Sequence, residues 1–265
     1  MIHLRTLSLN SAVVPAHYPF SVPAVRALQT LEFGAPVTFF VGENGSGKST
    51  LLEALAVAAG SVVAGSAESE HDSTLSAARE LGRALRLVWN KKTRRGFFLR
   101  AEDFFGYVKQ QAQMRAALQA DLAAVDEDYQ GRSEMARALA KSPYQRELHA
   151  LQRYGRDLND YSHGESFFAF FKARFVPGGL YLLDEPEAPL SPLRQLAFLS
   201  LLKEALTLDA QFIIATHSPL LMAFPGAAIY DFDQQPPRTV AYDALEHVRL
   251  TRDFLANPAL FLKDL

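Results

Sequence analysis

The run Gly42-Glu43-Asn44-Gly45-Ser46-Gly47-Lys48-Ser49 constrains this chain more than any other feature. It satisfies the phosphate-loop pattern. It also sits where such a loop must sit, between the β-branched and aromatic stretch Val37-Thr38-Phe39-Phe40-Val41 and a helical stretch from Lys48 to Ala59. The bare pattern arises by chance in roughly 1 in 100 chains of this size, and the flanking strand and helix make chance much rarer. Gly42, Gly45 and Gly47, with Asn44 and Ser46 between them, let successive backbone N–H groups turn inward around phosphate oxygens. The N-terminus of the following helix adds partial positive charge. In that geometry Lys48 contacts the β- and γ-phosphates of a nucleotide, Ser49 ligates Mg²⁺, and Thr50 supports the α-phosphate.

The rest of the chain alternates strand and helix. Leu180–Leu183 and Gln211–Ala215 predict buried strands, and Pro192 to about Leu206 predicts a helix between them. This alternation predicts an α/β fold with a mixed, largely parallel sheet covered on both faces. Leu85–Asn90 and Gly96–Arg100 flank the basic turn Lys91-Lys92-Thr93-Arg94-Arg95, which predicts a hairpin with an exposed charged tip. From Glu102 to about Tyr161 the composition shifts to Ala, Gln, Arg and Glu at helical spacing, with breaks expected near Gly131 and Pro143. This segment reads as a helical insertion, about residues 102–161, in a single domain spanning residues 1–265. Ala59 to Ser76, rich in Ala, Gly and Ser, reads as a mobile surface loop.

Three further motifs carry chemistry. Leu180-Tyr181-Leu182-Leu183 ends in Asp184-Glu185, which puts two carboxylates at the C-terminal edge of a buried strand, where ligands of such sheets bind. There Asp184 can hold Mg²⁺, and Glu185 can orient and deprotonate a water. His217, in Ala215-Thr216-His217-Ser218-Pro219, emerges from the next strand at the same edge. Finally, Tyr161-Ser162-His163-Gly164-Glu165-Ser166 precedes a helix expected to begin near Phe167. Ser162 and Gly164 there make a second anion site, which a single nucleotide does not need and which points to a second subunit.

These four elements, in this order, resemble the ATP-binding-cassette family over almost the whole chain. The details Glu43-Asn44-Gly45, Ser162-His163-Gly164-Glu165 and Ala215-Thr216-His217-Ser218-Pro219 look most like small stand-alone bacterial AAA family ATPases related to the soluble repair and chromosome-maintenance, SMC-like branch. The resemblance implies a phosphate-loop, ABC-type ATPase domain that sandwiches ATP between two subunits. Lys48 would bind the phosphates, Glu185 would be the general base, Asp184 the Mg²⁺ partner, and His217 the switch that senses the γ-phosphate. Ser162 and Gly164 would reach the nucleotide held by the partner, and Ala188-Pro189-Leu190-Ser191 would link the two sites. Where the wider family has a Gln that touches Mg²⁺, this sequence offers Glu102 by position.

Composition narrows the remainder. A formal charge of -2 argues against wholesale coating of nucleic acid, and the absence of Cys excludes disulfides and thiolate metal sites. No stretch reaches the ~18 apolar residues a membrane span needs, and the N-terminus does not read as a signal peptide, so the expected compartment is the cytoplasm. The expected function is an ATP-dependent homodimer coupled to nucleic-acid maintenance or genome defence, with a nucleic acid or a protein as partner. A transporter's nucleotide-binding subunit and a monomeric small-molecule kinase are the alternatives. The stripe Phe167, Phe168, Phe170, Phe171 and Phe175 reads as core, and Tyr18 and Phe20 offer rings that could stack on adenine.

Overall fold

Val37–Val41 is buried at every position, on both faces, as befits a central strand of a parallel sheet covered on both sides. The computed structural model describes residues 1–10, 15–63, 76–153 and 163–263, and divides them into two compact units, Met1–Ala101 with Val176–Leu265, and Glu102–Phe175. In the first unit the strands are β1 (Leu4–Leu9), β2 (Leu31–Glu32), β3 (Val37–Val41), β4 (Val62–Val63), β5 (Leu85–Trp89), β6 (Phe97–Arg100), β7 (Leu180–Asp184), β8 (Gln211–Ala215), β9 (Ala228–Asp231) and β10 (Arg238–Thr239). They form a seven-stranded sheet in the order β10-β9-β3-β8-β7-β6-β4 and a three-stranded sheet in the order β2-β1-β5. The large sheet is parallel except for the edge pair β9–β10, whereas the small sheet is antiparallel. Ahead of the second unit the first holds α1 (Pro23–Arg26), α2 (Lys48–Ala59) and α3 (Ser76–Ala84), and the second unit holds α4 (Ala101–Asp128) from Glu102 onward, α5 (Glu134–Arg153) and α6 (His163–Arg174). After β7 come α7 (Pro192–Leu206), α8 (Pro219–Met222), α9 (Glu246–Ala256) and α10 (Pro258–Leu262).

The hairpin expected across Lys91–Arg95 does not form. β5 pairs with β1 in the small sheet, and β6 inserts between β4 and β7 in the large one. Patterning explains the split. Leu85–Trp89 alternates covered and exposed positions, as a half-solvated antiparallel strand does, whereas Phe97, Phe98 and Leu99 are all buried. The basic turn is therefore a crossover between sheets, fastened by Thr93 Oγ1 donating to Gly178 O at 3.0 Å. Gly96 is required at its end, because a Cβ there would lie 1.9 Å from the Leu180 carbonyl oxygen.

Other expectations need adjustment. Of the loop expected over Ala59–Ser76, Ala59 ends α2, Val62–Val63 forms a short parallel strand beside β6, Ser76 begins α3, and residues 64–75 lie outside the described residues. In the helical unit the break falls at residues 129–133, but Pro143 lies inside α5 without ending it. Pro143 removes the donor for the Leu139 carbonyl, but both residues lie on an exposed stretch, where an unpaired carbonyl costs little. Phe167, Phe170 and Phe171 are buried as expected, with Phe104 edge-on to Phe167 and Phe170 at 5.4 and 5.5 Å.

Side chains tie the two sheets of the first unit together: Tyr230 on β9 accepts from the Glu32 N–H on β2 and donates to its carbonyl, and Gln211 makes a larger set of bonds to β1. Gln211, wholly buried on β8, accepts from the backbone N–H groups of His3 and Leu4 at 2.8 Å each, and donates to the Leu4 carbonyl at 2.9 Å. Its amide thus acts as a surrogate peptide for β1. Gln211→Leu, similar in size, strands two buried donors and an acceptor and should cost about 3 kcal/mol. Urea unfolding should show a lower midpoint with an unchanged slope.

Candidate nucleotide site

The phosphate loop emerges from β3, Glu185 follows β7 and Thr216 follows β8, and strand register brings all three to one level. Phe40 pairs with Ala215, Ala215 with Asp184, and Asp184 with Arg100. Gly42, Gly45 and Gly47 adopt φ of 140°, 81° and 102°, the region that favours glycine. A Cβ on Gly47 would come within 2.6 Å of Val22, so there the small side chain is a packing requirement as well.

Within the loop the Lys48 ammonium donates to the carbonyl oxygens of Gly42 and Glu43, both at 2.8 Å, and approaches Ser46 Oγ at 3.4 Å. Burial lowers the Lys48 pKa, while Asp233, Glu185, Asp184 and Glu43 pull it back up. Asn44 and Gly45 stand exposed at the loop's tip, and Thr50 is half-buried on α2. Ser49 Oγ donates to Asp184 Oδ1 at 3.0 Å, which joins the loop to the end of β7. Burial pushes the Asp184 carboxyl up to about 7, against the Ser49 hydrogen bond, with Glu185 and Glu53 adding to the rise. Arg100, the nearby cation, directs its guanidinium to Glu53 at 3.0 Å.

Glu185 is exposed and takes a left-handed φ of 50°, held by its N–H donating to Ala215 O at 2.9 Å. This costly conformation for a non-glycine residue turns the chain sharply at the sheet edge. His217 Nε2 lies 3.6 Å from Glu185 Oε1. Burial and the Lys48 charge lower the His217 pKa, so the ring tends to its neutral form.

The donors at Ser49 and Asp184 suit a hard divalent cation. Both are oxygens, and burial raises the Asp184 carboxyl in spite of the nearby Arg100. Among the described residues no cluster of three or more His, Asp or Glu could hold a metal ion. A cation here therefore needs oxygens from elsewhere, such as a phosphate or water.

Several predicted residues belong to the other unit or lie beyond description. Ser162 is outside the described residues, whereas Gly164 sits in the first turn of α6, which starts at His163, ahead of the expected Phe167. Glu102 is an exposed residue in the first turn of α4. Phe20 is part of the hydrophobic core, edge-on to His17, and so has no free face for adenine, whereas Tyr18 is exposed.

Sequence reasoning missed Asp233 and the cavity beside it. Asp233 accepts from the Glu43 N–H through both oxygens, at 2.8 and 3.1 Å, and would meet a Cβ on Gly42 at 2.9 Å. It lines a cavity of about 510 Å³ with Glu43, Asn44, His217, Asp231 and His247. Asp231-Phe232-Asp233 alternates polar and apolar residues from the last residue of β9 onward, a signal that could have placed both carboxylates at this edge.

Two AAA domain family models match the chain. One covers residues 24–95, and the other, whose description also carries the words AbiEii toxin and Type IV TA system, covers residues 71–223, more than half of the chain. The chain belongs to this AAA domain family. Membership implies nucleotide binding, in keeping with the loop geometry. No curated protein matches the sequence at a significant level. Similar solved structures include the SMC head domain of Pyrococcus furiosus bound to the C-terminal domain of ScpA, at 12% identity and TM-score 0.44, covering 96% of this chain and 100% of that one. The SMC head domain of Thermotoga maritima follows at 16% identity and TM-score 0.43, covering 90% and 98%. CbiO1 of Clostridium perfringens, part of the ABC transporter complex cbiONQ, is 15% identical at TM-score 0.44, covering 99% and 100%. No helix among the described residues is long and apolar enough to cross a membrane.

The raised Asp184 pKa has a consequence for stability. The folded chain keeps a proton that the unfolded chain, with an ordinary carboxyl at 3.8, has already lost. Stability of the protein without metal or nucleotide should therefore fall as pH rises from about 4 to about 7. Melting temperatures across that range should decline, and Asp184→Asn should flatten the decline.

Proposed function

We propose that this chain is an ABC-type ATPase that binds and hydrolyses Mg-ATP, with the complete site formed at a head-to-tail dimer interface. The observation that carries this reading is the hydrogen bond between Ser49 and Asp184, which joins the phosphate loop to the acidic strand end beside Glu185 and His217. Lys48 and the loop N–H groups bind the phosphates, and Ser49 with Asp184 would hold Mg²⁺. Bound there, the ion would neutralise the charge on the phosphate oxygens. Glu185, exposed at the sheet edge, orients the attacking water and takes its proton. His217, tending to its neutral form and 3.6 Å from Glu185, can donate its one N–H to the γ-phosphate beside that carboxylate. Ser162 and Gly164 supply the anion site for the nucleotide held by the partner subunit, and the helical segment from Glu102 is an insertion in the ATPase domain. Glu102 is a further candidate for the Mg²⁺ shell.

ATP-driven closure and hydrolysis-driven opening would then do switching work on a partner. The exposed side chains of Lys91, Lys92, Arg94 and Arg95 support a nucleic-acid partner, and the toxin–antitoxin wording of the family description supports a role in genome defence. Phosphate contacts at that turn would make any stimulation of turnover by DNA strongly salt-dependent.

Lys48→Ala should abolish binding of a fluorescent ATP analogue. Glu185→Gln should keep binding, lower turnover by about 100-fold or more, and accumulate an ATP-dependent dimer by light scattering. A Glu185→Gln variant that stays monomeric at saturating Mg-ATP would exclude the shared site and favour a monomeric kinase.

A further inference from the structure

The loop after β7 is more tightly tied to the loop after β8 than the proposed chemistry alone requires. Residues Glu185–Leu190 fold into a compact turn, with Ala188 N–H donating to Glu185 O at 3.0 Å and Leu190 N–H to Glu187 O at 2.8 Å. From the middle of that turn Glu187 points back toward β8. Its Oε1 accepts from Thr216 Oγ1 at 2.6 Å and from the backbone N–H of His217 at 2.7 Å. The Thr216 hydroxyl in turn accepts from Ser218 N–H at 3.0 Å. Ser218 Oγ donates to Gln195 Oε1 at 2.5 Å, and Gln195 Nε2 donates to Leu190 O at 3.1 Å. The path leaves the β7 loop at Glu187 and returns to it at Leu190, enclosing the backbone that carries His217.

A carboxylate is a costly residue for this place. Glu187 Oε2 is buried without a partner among the described residues, and a neutral acceptor would serve a purely structural cap with less desolvation. What the carboxylate adds is two charge-assisted bonds, both under 2.8 Å, to the residue before the imidazole and to the imidazole's own backbone. Fixing the His217 backbone sets the ring against Glu185 Oε1, which belongs to the same turn as Glu187.

We infer that Glu187 is a positioning residue that locks His217 to the turn bearing Glu185, so that the two side chains hold or shift their places together. The inference rests on the reading of Glu185 and His217 as the groups acting at the γ-phosphate. It extends that reading to a residue whose bonds run to the Thr216 hydroxyl and the His217 backbone. A shift of the turn after β7 would then be felt at His217 without passing through the phosphate loop.

The test compares ATP turnover and analogue binding for the unaltered chain, Glu187→Ala, Glu187→Gln, His217→Ala and the Glu187→Ala/His217→Ala double variant. Glu187→Ala should lower kcat by about 10-fold or more, the scale that a small misplacement of a catalytic group costs. Its affinity for the analogue should stay unchanged, since Lys48 and Ser49 are untouched. Glu187→Gln keeps an acceptor at Oε1 but loses the charge that strengthens both bonds, and should give a rate between those of Glu187→Ala and the unaltered chain. The double variant should be no slower than His217→Ala alone, because a residue acting through His217 has nothing left to position. Thr216→Val, of matching shape, removes one of the two bonds and should give a smaller loss, which keeps the inference testable if the alanine variant fails to fold. A normal kcat in Glu187→Ala or Thr216→Val, or losses that multiply in the double variant, would overturn the inference alone. An unaltered chain that binds the analogue but never hydrolyses ATP would overturn the proposed function and this inference with it.

Discussion

The hydrogen-bond register among β3, β8 and β7 is the constraint from which the rest of the site follows. Each of these strands is buried on both faces, so a slip of one residue would exchange the residues on every face of the core. With Phe40 opposite Ala215, and Ala215 opposite Asp184, the three loops leave the sheet at the same height. Ser49 and Asp184, far apart in sequence, then meet at hydrogen-bond distance, and His217 stands over Glu185. Long-range pairing of apolar strands thus does the positioning, while the loops carry the chemistry.

Charge is handled differently at each point of the site. Lys48 is buried but surrounded by carbonyl oxygens and by the fields of Asp233, Glu185, Asp184 and Glu43. Asp184 faces the opposite situation, with burial outweighing its hydroxyl donor and Arg100 already engaged by Glu53. Glu187 is raised by burial too, offset by its bonds from Thr216 and the His217 backbone. The site therefore holds one cation compensated by the protein and a carboxyl whose burial outweighs its compensation, an arrangement that favours a ligand bringing positive charge of its own.

Much of this was legible in the sequence, for identifiable reasons. The phosphate loop, Asp184-Glu185 and His217 each follow an apolar run, and such runs in a chain of this type become neighbouring buried strands. The helix Pro192–Leu206 and the strand Gln211–Ala215 form as read, the former with Pro at its first position. Which strand pairs with which was not legible. Leu85–Trp89 and Phe97–Arg100 stand close in sequence with a turn between them, yet their burial patterns send them to different sheets. Gln211 and Glu187 were also invisible, because each acts on the backbone of a residue remote in sequence, and no local pattern marks the partner. Pro143 was misjudged because an exposed helix can leave a carbonyl unpaired at little cost.

The pairing of β3 also governs how the chain can be made. Its two neighbours in the sheet are β8 and β9, at residues 211–215 and 228–231. During synthesis Val37–Val41 therefore leaves the ribosome long before either neighbour exists. At ~5–20 residues per second, that wait is on the order of ten seconds or more. Through that interval the nascent chain carries an unpaired apolar strand and a glycine loop with no sheet to stand on. A product broken off before residue 211 lacks both neighbours of β3 and has no framework on which to hold a nucleotide, so capture of the ligand waits until residues 211–231 have been made.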